Sequence, residues 1–334
     1  MSVSFNRWIV SILFALASSA TFASDEVKTT LAPTDAGKIH FSSAEKNVTY
    51  PQLYKHTAAL DMPIWGELRF PPNMKANKVP VMVVMHGSGG IDKRIYDWVD
   101  FFNNMGVATF MVDSFTPRGI HDTVADQSQM TLAVSSADGL LALKLLATHP
   151  RIDSSKIGII GFSKGGYGAL TAGFEKIRAA LVPQDLQYAL HVSFYGGCNQ
   201  YGKTTNAPIL MFAGTKDGYY KIEDCQKNVE TLKGLGANLK FVVYKGALHG
   251  FDTTNPHFYA AKGQTAINCS RAVDVDRGEV HINWSEHIAT PEESQAYFKS
   301  CTSYGLTAGG DSEYREKSRQ EVKDFITKNF GLGG

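Results

Sequence analysis

"KIGIIGFSKGGYGAL", residues 156–170, sets five glycines and one serine directly behind a short apolar run. A phosphate-binding loop would need G-x-x-x-x-G-K-[ST], but Ser163-Lys164 here stands ahead of Gly165-Gly166, the wrong order. A dinucleotide fingerprint would need G-x-G-x-x-G, and no register of residues 158 to 173 supplies it. What fits is G-x-S-x-G, Gly161-Phe162-Ser163-Lys164-Gly165, between a buried strand and a Gly- and Ala-rich helix start. In such an elbow the serine takes an unfavourable backbone conformation, and its neighbours are tiny so that strand and helix can approach. Ser163 is therefore the candidate nucleophile, and the backbone N–H of Lys164 points where an oxyanion would form.

Outward from this elbow, short apolar runs alternate with amphipathic stretches. Strands are expected at 64–70, 79–85, 107–112, 156–161, 189–195, 208–213 and 239–244. Helices are expected at 94–104, 128–148, 164–173, 222–235 and 314–328. Most of the strands are nearly continuous in Val, Ile, Leu, Met and Phe, as strands covered on both faces are. The pattern predicts an α/β fold: a mostly parallel central sheet with helices on both faces. Between Phe251 and Gly310 the alternation stops, and a polar stretch is expected to be an irregular but ordered excursion, a partial cap being one reading of it.

A nucleophilic serine needs a second oxyanion donor, a base and an acid, each on its own loop. "MHGSGG", residues 85–90, ends the strand at 79–85, and its glycines let the N–H of Ser88 complete the hole. In the chain order Ser, Asp, His, the base is His249 of "KGALHGF", at the carboxyl end of a late strand. The acid is Asp217 of "APILMFAGTKDGYY"; Asp224 falls inside the next helix, and Asp185 precedes its strand, at the wrong edge of the sheet. The cations Lys164 and Arg118, together with Tyr219, are candidate substrate contacts, Arg118 through a substrate carboxylate.

Lys plus Arg number 33 and Asp plus Glu 32 in 334 residues, a balance that gives no footprint for nucleic acid or anionic lipid. Arg7 precedes an apolar run, Trp8 to Ala17, too short to span a bilayer and followed by small residues ending Thr21-Phe22-Ala23. Residues 1–23 therefore read as a cleavable signal peptide, with 24–334 as one exported, secreted or periplasmic domain carrying no membrane span. Export makes disulfides of the four cysteines, and pairs Cys198–Cys225 and Cys269–Cys301 each close a local loop. No C-x-x-C or H-E-x-x-H spacing calls for a metal.

Taken in order, "VMHGSGG", "VDSFTPRG", "GFSKGG", "SFYGGC", "GTKDGYY" and "HGFD" resemble the landmarks of the dienelactone hydrolase family, over roughly residues 62–252 and the terminal helix. The resemblance implies an α/β-hydrolase fold, cofactor-free chemistry on a small-molecule ester, and a triad at Ser163, Asp217 and His249. Dienelactone hydrolases proper use a cysteine nucleophile, so the expectation here is a serine carboxylesterase rather than an enzyme of muconate-pathway dienelactones. An amidase or peptidase would use the same triad, and a non-catalytic binding protein could keep the scaffold. Oligomeric state is left open.

Overall fold

The computed structural model describes Met1, residues 26–72, Met74 and residues 76–333; apart from Met1, the expected signal peptide lies outside them. The strands are β1 (Gly37–Ser43), β2 (Met62–Arg69), β3 (Val79–Met85), β4 (Ala108–Asp113), β5 (Ile152–Phe162), β6 (Leu190–Phe194), β7 (Gln200–Tyr201), β8 (Ile209–Gly214), β9 (Leu239–Tyr244), β10 (Phe258–Thr265), β11 (Arg271–Asp274), β12 (Glu279–Ile282) and β13 (Ser303–Ala308). The helices are α1 (Tyr50–Tyr54), α2 (Lys93–Asn104), α3 (Leu132–Leu146), α4 (Lys164–Thr171), α5 (Glu175–Leu181), α6 (Ile222–Gly234), α7 (Pro291–Cys301) and α8 (Ser312–Phe330).

Eight strands form the central sheet in the order β1-β2-β4-β3-β5-β6-β8-β9. From β4 to β9 every pairing is parallel, whereas β1 with β2 and β2 with β4 are antiparallel. Two apolar cores lie on its faces. One packs α3 against Val81, Val83 and Ile159; the other packs α2 and α8 against Val84, Ile160 and Phe194. On α2 the buried residues Ile95, Trp98, Val99 and Phe102 recur at helical spacing, and Asp92 caps the helix by accepting the Ile95 N–H. The sequence's expected α/β architecture is this fold.

The region 251–310 is not irregular. It holds β10 paired antiparallel with β13, β11 between β12 and β7, and α7, which starts on a capping box at Thr290 and Glu293. Its strands are short and half exposed, so the continuous apolar runs that mark the central sheet are absent. Cys269 is bonded to Cys301 within this region, and Cys198 to Cys225 beneath it. No helix among the described residues is long and apolar enough to cross a membrane.

The expected helix at 128–148 begins only at Leu132, after a 3₁₀ turn at Gln127–Gln129. Arg118 also departs from expectation. Its guanidinium is buried, donating to both carboxylate oxygens of Asp138 at 2.7 and 2.9 Å and to the carbonyls of Ala44 and Ser114. With 1% of one side chain and none of the other exposed, this pair ties the 116–118 turn to α3 and leaves the guanidinium no open face toward a substrate. Arg118→Met would strand the Asp138 carboxylate, and it should cost about 3–5 kcal/mol of unfolding free energy, read from the urea midpoint.

Candidate active site

Ser163 joins β5 to α4 with φ 53° and ψ −115°, a conformation few non-glycine residues adopt. Its N–H donates to Phe194 O at 2.9 Å, and its carbonyl accepts the Tyr167 N–H at 3.0 Å, so both flanks hold the turn. A Cβ on Gly161 would strike the Gly165 carbonyl, and one on Gly165 would strike the carbonyls of Met85 and His86. The small residues therefore let α4 press onto the ends of β5 and β3 together. That contact brings the 86–90 loop beside the elbow: a Cβ on Gly87 would lie 3.3 Å from Ser163 Cβ. In this loop His86 accepts the Ser114 N–H on Nε2, so its Nδ1 donates to Gly87 O at 2.8 Å. Burial holds its pKa below the usual value, and the ring is a brace for the loop.

Asp217 follows β8 and His249 follows β9. His249 Nδ1 donates to Asp217 Oδ2 at 2.7 Å, and Asp217 Oδ1 accepts the Tyr219 N–H at 2.8 Å. The carboxylate has no exposed side-chain surface. This bond fixes the tautomer: Nδ1 carries the proton, and Nε2 is left as the acceptor. The imidazole lies between two phenol rings, with centroids 4.3 Å from Tyr219 and 4.5 Å from Tyr195. The Tyr195 hydroxyl donates to Asp252 and accepts from Arg94 at 2.9 Å, and Trp98 Nε1 donates to the same Asp252 at 2.9 Å.

The excursion reaches these loops as well. The Thr265 hydroxyl donates to Gly218 O beside the acid, and the Gly309 N–H donates to His249 O at 2.9 Å, where Ala308 bridges the base in parallel. Ser163, His249, Ser88, Lys164 and Tyr219 all line one cleft of about 760 Å³ between the central sheet and the excursion. Tyr50, Met130, Leu132, Tyr167, Val273 and Phe298 make much of its wall apolar. No aspartate or glutamate is among the described residues that line it, whereas Lys164 and Arg271 are.

The two cations differ. Lys164 is 4% exposed, and its Nζ donates to Gln127 O at 3.0 Å and Met130 O at 2.9 Å; burial lowers its pKa to about 8, against a weak opposing pull from Asp126. Arg271, on β11, lies 4.7 Å over the Phe298 ring, and its electrostatic neighbours are the phenols of Tyr167 and Tyr297, with no carboxylate. Burial pulls its pKa below the ordinary value. Nothing in the sequence singled out Arg271, Tyr195 or Tyr167; the first sits in a stretch without clear periodicity, and Tyr195 stood unremarked inside "SFYGGC". Asp224 is occupied elsewhere, accepting from Ser270 and Trp284. Among the described residues no group of three or more His, Cys, Asp or Glu is placed to hold a metal ion.

A curated Bradyrhizobium protein named "Probable 2-oxo-3-(5-oxofuran-2-ylidene)propanoate lactonase" is 24% identical over 195 residues, 52% of this chain and 74% of its own length. Among solved structures, the propionate-bound esterase Est2 of Thermogutta terrifontis is 19% identical with a TM-score of 0.44, covering 61% of this chain and 89% of that one. A dienelactone hydrolase-like promiscuous phosphotriesterase from metagenomic libraries is 18% identical with a TM-score of 0.45, covering 65% and 85%. The model of the dienelactone hydrolase family matches residues 68–274, more than half of the sequence, and the chain belongs to that family.

Proposed function

We propose that this protein is an exported carboxylesterase that works through an acyl-enzyme on Ser163. The observation that carries this reading is the strained Ser163 elbow on the same cleft as a His249 whose Nδ1–H is held by Asp217. His249 Nε2 takes the Ser163 hydroxyl proton as Oγ attacks the ester carbonyl, and the N–H groups of Ser88 and Lys164 receive the oxyanion. Collapse expels the alcohol, which leaves with the proton from His249. Water then attacks the acyl-enzyme by the same route and frees the acid. The Tyr195 and Tyr219 rings, tilted against the imidazole, hold it in place. Export rests on the apolar leader, and two disulfides suit an oxidising compartment.

A fluorophosphonate probe tests the assignment. It should add to Ser163 with loss of ester hydrolysis. An unlabelled Ser163 in folded protein would favour a binding role on a hydrolase scaffold, and a faster turnover of matched amides than of esters would favour an amidase.

The charge census of the cleft refines the substrate. A largely apolar cleft with no acid among the described residues that line it favours an ester that carries a negative charge; Lys164 is committed to two backbone carbonyls, so Arg271, rather than Arg118, is the residue to meet it. The lactone named for the Bradyrhizobium relative is a propanoate, which agrees in charge. Arg271→Met should raise KM for a carboxylate-bearing ester roughly 10- to 100-fold, the loss of a charge-assisted hydrogen bond, and leave a neutral ester of the same size within about twofold. Steady-state kinetics on the matched pair measures this.

A further inference from the structure

The elbow requires only the backbone at position 164, yet a lysine stands there, turned into the protein. Its ammonium meets no carboxylate within ion-pair distance among the described residues. It donates instead to two backbone carbonyls, those of Gln127, the first residue of the 3₁₀ turn Gln127–Gln129 ahead of α3, and of Met130, which follows that turn. An apolar side chain of the same length would leave both carbonyls without this donor in a setting largely shut from water.

The same turn grips the other half of the expected oxyanion hole. Gln127 Oε1 accepts the Ser88 hydroxyl at 3.0 Å, and the Thr123 N–H donates to the Ser88 carbonyl at 2.8 Å. It also reaches the excursion: the Gln127 N–H donates to Gln264 Oε1 at 2.6 Å, and the Gln264 N–H donates to Val124 O at 2.8 Å. Residues 123–130 therefore join the elbow, the 86–90 loop and the roof of the cleft. Ser88 and Lys164, whose N–H groups belong to different strand-end loops, are tied to one piece of backbone.

We propose that the Lys164 side chain is a positioning residue: by clamping the 127–130 turn it sets the spacing between the Ser88 and Lys164 N–H groups that receive the oxyanion, and it docks the excursion over them. This rests on the esterase reading. An oxyanion donor acts only when its hydrogen aims at the tetrahedral oxygen, so a relaxed spacing weakens transition-state binding more than substrate binding. A neutral amine keeps an N–H for each carbonyl, so the clamp persists when the lysine deprotonates.

The test is Lys164→Met, with kcat expressed per active site titrated by the fluorophosphonate, beside Gln127→Ala, which frees Ser88 from the turn and keeps the lysine. Lys164→Met should lower kcat about 100-fold with KM within about twofold, and it should weaken a trifluoromethyl ketone, which mimics the tetrahedral oxyanion, by a similar factor. Gln127→Ala should lose about 10-fold in the same two quantities, and it carries the test alone if Lys164→Met does not fold. A purely structural role would reduce the number of titrated sites without changing turnover per site, and that result overturns the proposal. A wild-type protein that neither hydrolyses esters nor takes up the probe overturns the esterase reading, and this proposal with it. Reactive wild type with unaltered variants overturns the proposal alone.

Discussion

Ser163→Ala should lower kcat for an activated ester by about 10⁶-fold while the protein stays folded, since removing the nucleophile of a comparable triad costs that much. The Ser163 side chain makes no capping bond at the start of α4, so its loss should change stability by no more than about 0.5 kcal/mol. The oxyanion donors and the cleft are untouched by the change, so a residual rate about 10³-fold above water is expected, with KM little altered. Circular dichroism and the urea midpoint check the fold, and p-nitrophenyl ester turnover checks the rate. A variant turning over within tenfold of wild type would remove Ser163 from the mechanism.

Asp217→Asn should be the next most damaging change, about 10⁴-fold in kcat, through a proton and not through a lost contact. The amide can keep its oxygen on the Tyr219 N–H, as Asp217 Oδ1 does now. Its NH₂ would then face His249 Nδ1 and turn that nitrogen into an acceptor, which moves the ring proton to Nε2. An imidazole in that tautomer cannot take the serine proton. Because the substituent is isosteric and the carboxylate is already shielded from solvent, the fold should persist. Retention of more than a tenth of wild-type kcat would show that another acid orients the ring, and Asp252, bonded to Tyr195 beneath it, is the residue to change next.

The parts of this site that could be read from sequence are those where backbone geometry leaves a residue signature. Gly161 and Gly165 admit no side chain, so the elbow announces Ser163. Asp217 follows the buried strand β8 and His249 follows the edge strand β9, and the topology of a parallel sheet puts those strand ends on one side. Arg118 misled because a lone arginine near a strand end gives no hint of its partner: Asp138 lies on α3, and only the packing of the 116–118 turn on that helix shows that the charge is spent. Arg271 was hidden for the opposite reason. Short, half-exposed strands at 258–308 lack the apolar continuity that made β3 and β5 obvious, so no pattern marked a cation on one of them.

The contacts that hold the acid and base loops come in part from outside the central sheet. Thr265 reaches back to Gly218, and Ala308 and Gly309 reach back to His249, so both loops are secured by chain that comes after the last strand of the central sheet. A chain folded only as far as β9 would have its nucleophile and its sheet without these contacts to the acid and base loops. The sheet is therefore not the whole of the catalytic frame: the stretch after β9 completes the support of the acid and base loops.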